Sequence, residues 1–268
     1  MQGAGLVLSA QASTRLEDIA ALVLPEPSRG PLWFQLYLQP DRGVTLDLVR
    51  RAEVAGFEAL VLTVDAPVHG ARDCERRAGF VLPPGVSAVN LHSAPATAAA
   101  ALPPDGSALF DGLLQHAARW DDVAWLQVHS RLPLLLKGVL HADDARQAAR
   151  LGVAGLIVSD HGGRTLDTVP ATADALPRIA QALAGGPGPG PALLVDGGIR
   201  RGTDVLKALA LGAQAVLVGR PAVMALAAAG AQGVALALRL LRDELEIAMA
   251  LTGCATLADS GPAVLWQG

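Results

Sequence analysis

Seven short apolar runs punctuate the chain: GLVLS (5–9), LWFQLY (32–37), ALVLTVD (59–65), LLLKG (134–138), GLIVSDHGG (155–163), ALLVDGG (192–198) and AVLVGR (215–220). Each is short and nearly continuous, and most end in a polar residue or a glycine, which predicts buried strands. Between most of them the period changes to that of a helix. TLDLVRRAEVAGF (45–57) places Leu46, Val49, Ala52 and Val54 on one side and stops at a glycine. ADDARQAARLG (142–152) and RGTDVLKALALG (201–212) have the same form, with acidic residues early and glycine as the stop. Continuous apolar strands alternating with amphipathic helices predict a parallel sheet covered by helices. Seven such units without a GxGxxG predict an α/β fold of the (β/α)8 TIM-barrel type, with about seven of the eight β/α units present. No internal domain boundary interrupts residues 1–268, so a single domain is expected.

Two regions break the alternation. Residues 66–133 make a long excursion whose VLPPGVSAVNLHSAPATAAAALPPDGS portion is rich in Pro, Ala and Ser. Residues 81–107 are expected to be a mobile active-site loop. SALFDGLLQHAARWDDVAWLQVHS (107–130) reads as helical, and AGGPGPGPA (184–192) as a flexible surface link. PAVMALAAAGAQGVALAL (221–238) carries no charge, but it is Ala-rich and runs into RLLRDELE, so a buried helix is expected rather than a membrane span. The N-terminus has no basic region ahead of its apolar stretch, which argues against a signal peptide.

Composition narrows the function. The chain is 51% hydrophobic but only 3% aromatic, so its core is built from Ala, Val and Leu. The net charge is −4 and no block of Lys or Arg appears, which argues against nucleic acid or an anionic membrane as partner. Cys74 and Cys254 form no CxxC and no metal-ligand spacing. They predict structural thiols, no metal and a reducing, cytoplasmic location.

The polar residues collect at the carboxyl ends of the runs: Ser9, Gln35, Tyr37, Thr63, Asp65, Lys137, Ser159, His161, Asp196 and Arg220. In barrels this rim is where active sites are built. VDGGIRRG (195–202) and VLVGRPAV (216–223) end the last two runs. Gly197, Gly198 and Gly219 would let backbone N–H groups approach an anion, and Arg200 and Arg220 would add bidentate bonds, so a phosphate site is expected. Lys137 lies inside LLLKGVL, a costly place for an ammonium unless it meets an anion or a polar ligand. SDHGGR (159–164) sets a base and a fixed cation, His161 and Arg164, about a glycine turn.

In order along the chain, QLYLQPDRGVTLDLVRRAEVAGFEALVLTVDAP, LLLKGVLHADDARQAARLGVAGLIVSDHGGR and LLVDGGIRRGTDVLKALALGAQAVLVGRP resemble the FMN-dependent 2-hydroxy acid oxidases and dehydrogenases. These include glycolate, lactate and hydroxymandelate oxidases and mandelate dehydrogenase. The resemblance implies FMN held at the rim of the barrel. Lys137 would lie beside the flavin N1/O2 edge. Ser9, Gln35, Thr63 and Ser159 would contact the flavin, while Asp196, Gly198, Arg200, Gly219 and Arg220 would hold its ribityl chain and phosphate. His161 would be the base, oriented by Asp65. Arg164 and Arg72 would bind the substrate carboxylate and Tyr37 a substrate oxygen. A small 2-hydroxy acid, oxygen or another electron acceptor, and a homotetramer follow as expected partners, with no membrane span.

The sequence departs from the family in four places. The family begins with a further segment carrying an active-site tyrosine and the first strand and helix, so the chain reads as N-terminally truncated. Asp160 stands where the family has Asn in SNHG, and Gln11 where an aromatic is common. Ala66 replaces a common Thr. Two alternatives remain beside the oxidoreductase: a non-catalytic or partner-dependent remnant, and a different phosphate-binding barrel such as an FMN-dependent isomerase. The carboxylate-binding set His161, Arg164 and Arg72 argues against the isomerase.

Overall fold

The structure, a computed structural model, describes residues 2–91, 106–112, 114, 117–186 and 189–266. The seven predicted strands are all present. They are β1 (Leu6–Ser9), β2 (Leu32–Leu36), β3 (Ala59–Thr63), β4 (Leu134–Val139), β5 (Gly155–Val158), β6 (Ala192–Val195) and β7 (Ala215–Val216). They follow one another in sequence order, and the pairs β1–β2, β2–β3, β5–β6 and β6–β7 are parallel. Parallel neighbours need a crossover. Helices supply it: α1 (Leu16–Val23), α2 (Arg42–Ala55), α3 (Asp73–Arg77), α4 (Trp120–His129), α5 (Ala142–Arg150), α6 (Thr172–Leu183) and α7 (Gly202–Ala210); α8 (Arg220–Leu251) follows the last strand. α3 and α4 both lie in the long excursion, and α4 falls within the stretch 107–130 that reads as helical. The strands end earlier than the apolar runs suggest. β5 stops at Val158, so SDHGG is a turn, and β7 is only two residues long.

Two compact units make up the chain. One is Gly5–Leu136; the other is Lys137–Gly268 with Met1–Ala4. In the first unit Leu32, Phe34 and Leu36 of β2 and Leu60 and Leu62 of β3 are fully buried with Leu16 of α1. Phe34 meets Phe57 edge to face at 5.4 Å. In the second unit Leu156, Ile157 and Val158 are buried with Ala145, Ala148, Leu176 and Ile179 of α5 and α6. α2 begins at Arg42, earlier than expected, because Asp41 accepts from Gly43 N at 2.7 Å and caps it. Its buried face is Val44, Leu48, Val49 and Ala52, whereas Val54 is 90% exposed. The four share one stripe at helical spacing; Val54 lies off it.

Asn90 anchors the excursion. It is 1% exposed, and its Oδ1 accepts from Leu16 N at 2.9 Å, satisfying an N–H that α1 leaves open at its start. Its Nδ2 donates to Thr14 O at 3.1 Å. Arg51 donates to both Asn90 oxygens and, through Nε, to Glu17 Oε1 at 2.7 Å. Of the loop expected at 81–107, residues up to Leu91 therefore end on a fixed side chain; residues 92–105 lie outside the described residues, as do 187–188 of the expected 184–192 link. The Arg51 bond holds the Glu17 carboxyl at about 2 against an ordinary 4.5. A folded-state pKa below the unfolded one gives stability that is present above about 4.5 and lost as pH falls toward 2. Glu17→Gln is expected to narrow the difference in urea stability between neutral pH and pH ~3. An unchanged difference would show that the pair is not linked to folding.

The stretch 221–238 is helical, as expected, but it is not buried. In α8 an 18-residue window of mean hydropathy 1.7 is only 6% buried, and α8 is the one helix among the described residues long and apolar enough to cross a membrane. Its backbone breaks at Ala229 and Gly230, where Gly230 has φ 59° and ψ −147°. Apolar composition states a preference for burial, but the covering partner has to come from tertiary contact. α8 packs against α7 at its charged stretch: Glu244 accepts from Gly202 N at 2.9 Å and pairs with Arg201 at 3.2 Å.

Candidate functional site

The first unit places Ser9, Gln35 and Thr63 at three adjacent strand ends. Ser9 is the register partner of Gln35, and Gln35 Nε2 donates to Thr63 Oγ1 at 2.8 Å. Gln35 and Thr63 are buried, so a bond between them satisfies groups that would otherwise be costly there. Tyr37 lies just beyond β2 and Asp65 just beyond β3, both half-buried. Arg72 stands immediately before α3, with Nη1 at 3.4 Å from Glu75. Its Nε is buried with no hydrogen-bond partner among the described residues.

The second unit gathers its polar groups more tightly. Lys137 Nζ donates to Ser159 Oγ at 2.8 Å and lies 3.1 Å from Asp196 Oδ2. Side chains from β4 and from the ends of β5 and β6 thus meet, with Lys137 and Asp196 only 15% and 17% exposed. An ammonium has three donors, and two are placed by these contacts. The other Asp196 oxygen, Oδ1, is buried without a hydrogen-bond partner among the described residues. A buried carboxylate oxygen in that state calls for a donor from a bound molecule.

The residues expected to hold a phosphate are less gathered. Gly198 has φ 75°, and a side chain there would meet open space, as it would at Gly219, which precedes α8. Arg200 is exposed; Arg220, the first residue of α8, turns its guanidinium to the carbonyl of Gly162. No described contact joins Arg200 to Arg220. Asp204 was not foreseen. Its Oδ2 accepts from Arg200 N at 3.0 Å and Arg201 N at 2.9 Å, holding the DGGIRRG turn at the start of α7. An acidic residue three positions into the helix was the available signal. Thr172, whose Oγ1 donates to Gly197 O at 3.3 Å, carried no signal in the sequence.

His161 begins a short 3-10 turn, His161–Gly163, directly after Ser159 and Asp160. It is the single non-glycine residue with positive φ, 53°, among the described residues. Its N–H donates to Ser159 Oγ at 3.1 Å. Arg164 closes the turn and is exposed.

A family profile described as FMN-dependent dehydrogenase matches residues 1–267. An L-lactate oxidase of Alicycliphilus denitrificans is 51% identical over 258 residues, covering 96% of this chain and 68% of that protein. Glycolate oxidase 1 of Zea mays is 48% identical over 260 residues, with the same two shares. A solved structure of a mandelate oxidase variant with the C4a-OH-FMN adduct superposes with a TM-score of 0.80 at 43% identity, over 96% of this chain and 68% of that one.

Proposed function

Since the chain belongs to the FMN-dependent dehydrogenase family, we propose that it oxidises a small 2-hydroxy acid to the corresponding 2-oxo acid. Its fold is that of the (β/α)8 barrel, seven of whose β/α units it carries, and FMN is its cofactor. One observation carries the reading: the Lys137–Ser159–Asp196 cluster, with Asp196 Oδ1 buried and lacking a donor. That donor set fits a flavin mononucleotide. Asp196 would accept from a ribityl hydroxyl, and the remaining Lys137 N–H would face the flavin edge where negative charge gathers on reduction. Gly198 and Gly219 leave room for backbone N–H groups to reach the phosphate, beside the N-terminus of α8.

FMN, when bound, accepts the electron pair released as the carbinol becomes a carbonyl, and passes it to oxygen or another acceptor. The chain's own residues bind the substrate and move its proton. His161 takes one proton from the substrate carbinol, a step in which a positioned base contributes about 10²–10⁴ in rate. Arg164 and Arg72 bind the carboxylate through charge-assisted bonds. Tyr37 and Asp65 complete the proposed set.

The test is anaerobic. Purified protein loaded with FMN should lose its visible flavin absorbance on addition of L-lactate, glycolate or mandelate. Protein that takes up no FMN would overturn the reading. Arg164→Met is expected to raise KM for the hydroxy acid roughly 10- to 100-fold, the loss of a hydrogen bond to a charged group. An unchanged KM would remove Arg164 from the carboxylate site. A second reading makes cofactor binding and turnover depend on a partner, and the exposure of the apolar stretch of α8 favours it. It predicts colourless protein when the chain is purified alone.

A further inference from the structure

Asp160 sits between the His161 turn and the glycine turn after β6. Its Oδ1 accepts from Gly162 N at 2.7 Å, and its carbonyl accepts from Gly163 N at 2.9 Å. The same Oδ1 lies against the other turn. A Cβ placed on Gly197 would be 2.7 Å from it and 3.0 Å from Thr172 Oγ1. Gly197 is therefore bare where Asp160 wedges in.

The turn needs such support. His161, Gly162 and Gly163 have φ of 53°, 65° and 71°, three left-handed residues in succession. Non-glycine residues seldom adopt that region, and one stays there only where its surroundings hold it. Three side chains do so. Ser159 Oγ accepts from His161 N, Asp160 Oδ1 accepts from Gly162 N, and Arg220 donates to Gly162 O. Ser159 and Arg220 also belong to the proposed cofactor set, whereas Asp160 has no part in it.

We infer that Asp160 is a positioning residue: as a hydrogen-bond acceptor braced against Gly197, it fixes the turn that presents His161. The inference rests on the reading of His161 as the base. It assigns Asp160 a geometric part and not an electrostatic one. An uncharged acceptor of the same shape should therefore serve, since the bond to Gly162 N needs an oxygen and not a charge.

The experiment follows the His161 imidazole by NMR of the labelled protein, assigned by its loss in His161→Asn, and turnover of the FMN-loaded protein across pH. Asp160→Asn should keep the His161 resonances and the pH midpoint. Asp160→Ala should displace or broaden those resonances and lower kcat roughly 10- to 100-fold at little change in KM, as a misplaced base would. Asp160→Ser, with a shorter acceptor, should fall between them. If Asp160→Ala does not fold, the Asn and Ser variants decide: Asn must retain the His161 resonances and Ser must displace them in part. A shifted pH midpoint in Asp160→Asn would show that charge is the cause, and unaltered resonances in Asp160→Ala that the turn needs no brace; either overturns the inference. Undiminished turnover in His161→Asn would instead overturn the base, while the resonances still report on Asp160.

Discussion

Replacing His161 with Asn is expected to slow the anaerobic reduction of bound FMN by a 2-hydroxy acid about 10²–10⁴-fold, while the purified protein keeps its flavin absorbance. Asn is the appropriate substitute because the residue sits at φ 53°, a region that Asn tolerates better than most side chains. The turn is then preserved and only the imidazole is lost. In the cluster proposed to hold the flavin, Lys137 bonds Ser159 and Asp196 without the His161 side chain, and His161 reaches Ser159 through its backbone N–H. Cofactor binding and proton transfer are thereby separated. A rate within a few-fold of the parent would remove His161 from the chemistry, and colourless protein would show that it holds the cofactor instead.

Gly202→Ala should destabilise the second unit by about 3 kcal/mol. A Cβ on Gly202 would fall inside the backbone of Glu244 and Leu245, where α7 and α8 cross. Backbone cannot rotate away as a side-chain tip can, so α8 would have to withdraw. Withdrawal breaks the Gly202–Glu244 hydrogen bond and the Arg201–Glu244 pair. An alanine is the better helix former by about 1 kcal/mol, but that gain is smaller than the clash and is reduced at a helix start. The turn held by Asp204 lies immediately before this crossing, so FMN affinity should fall as well. Urea unfolding measures the first effect, with Gly186→Ala, which would meet nothing closer than 3.7 Å, as control. Equal midpoints would show that the helices do not approach this closely.

Much of the placement of the candidate residues was legible because β/α alternation leaves a one-dimensional trace. A polar residue late in an apolar run is expected late in a strand or just after it, and Gln35, Thr63, Lys137, Ser159 and Asp196 each lie in a strand or directly after one. The pairings were not legible, because each joins residues far apart in the chain. Gln35 meets Thr63 across 28 positions and Lys137 meets Ser159 across 22. Asp160 illustrates the same limit. By sequence it is a negative charge next to a base; in the structure its oxygen is committed to Gly162 N and pressed against Gly197.

Helix α8 marks the opposite case, in which a strong local signal misled. Its uncharged stretch promised burial, yet only 6% of the most apolar window is covered. α2 shows a smaller version, with Val54 apolar but 90% exposed. The sequence by itself determined the number, kind and order of the β/α units and the residue types at the strand ends. Those depend on hydrophobic period and on stops set by neighbouring residues. Only the tertiary structure decided which face of α2 is covered, what α8 packs against, how Asn90 ties the excursion to α1 and α2, and which atom Asp160 serves. Burial and hydrogen bonding are properties of two surfaces, and the second surface comes from a distant part of the chain.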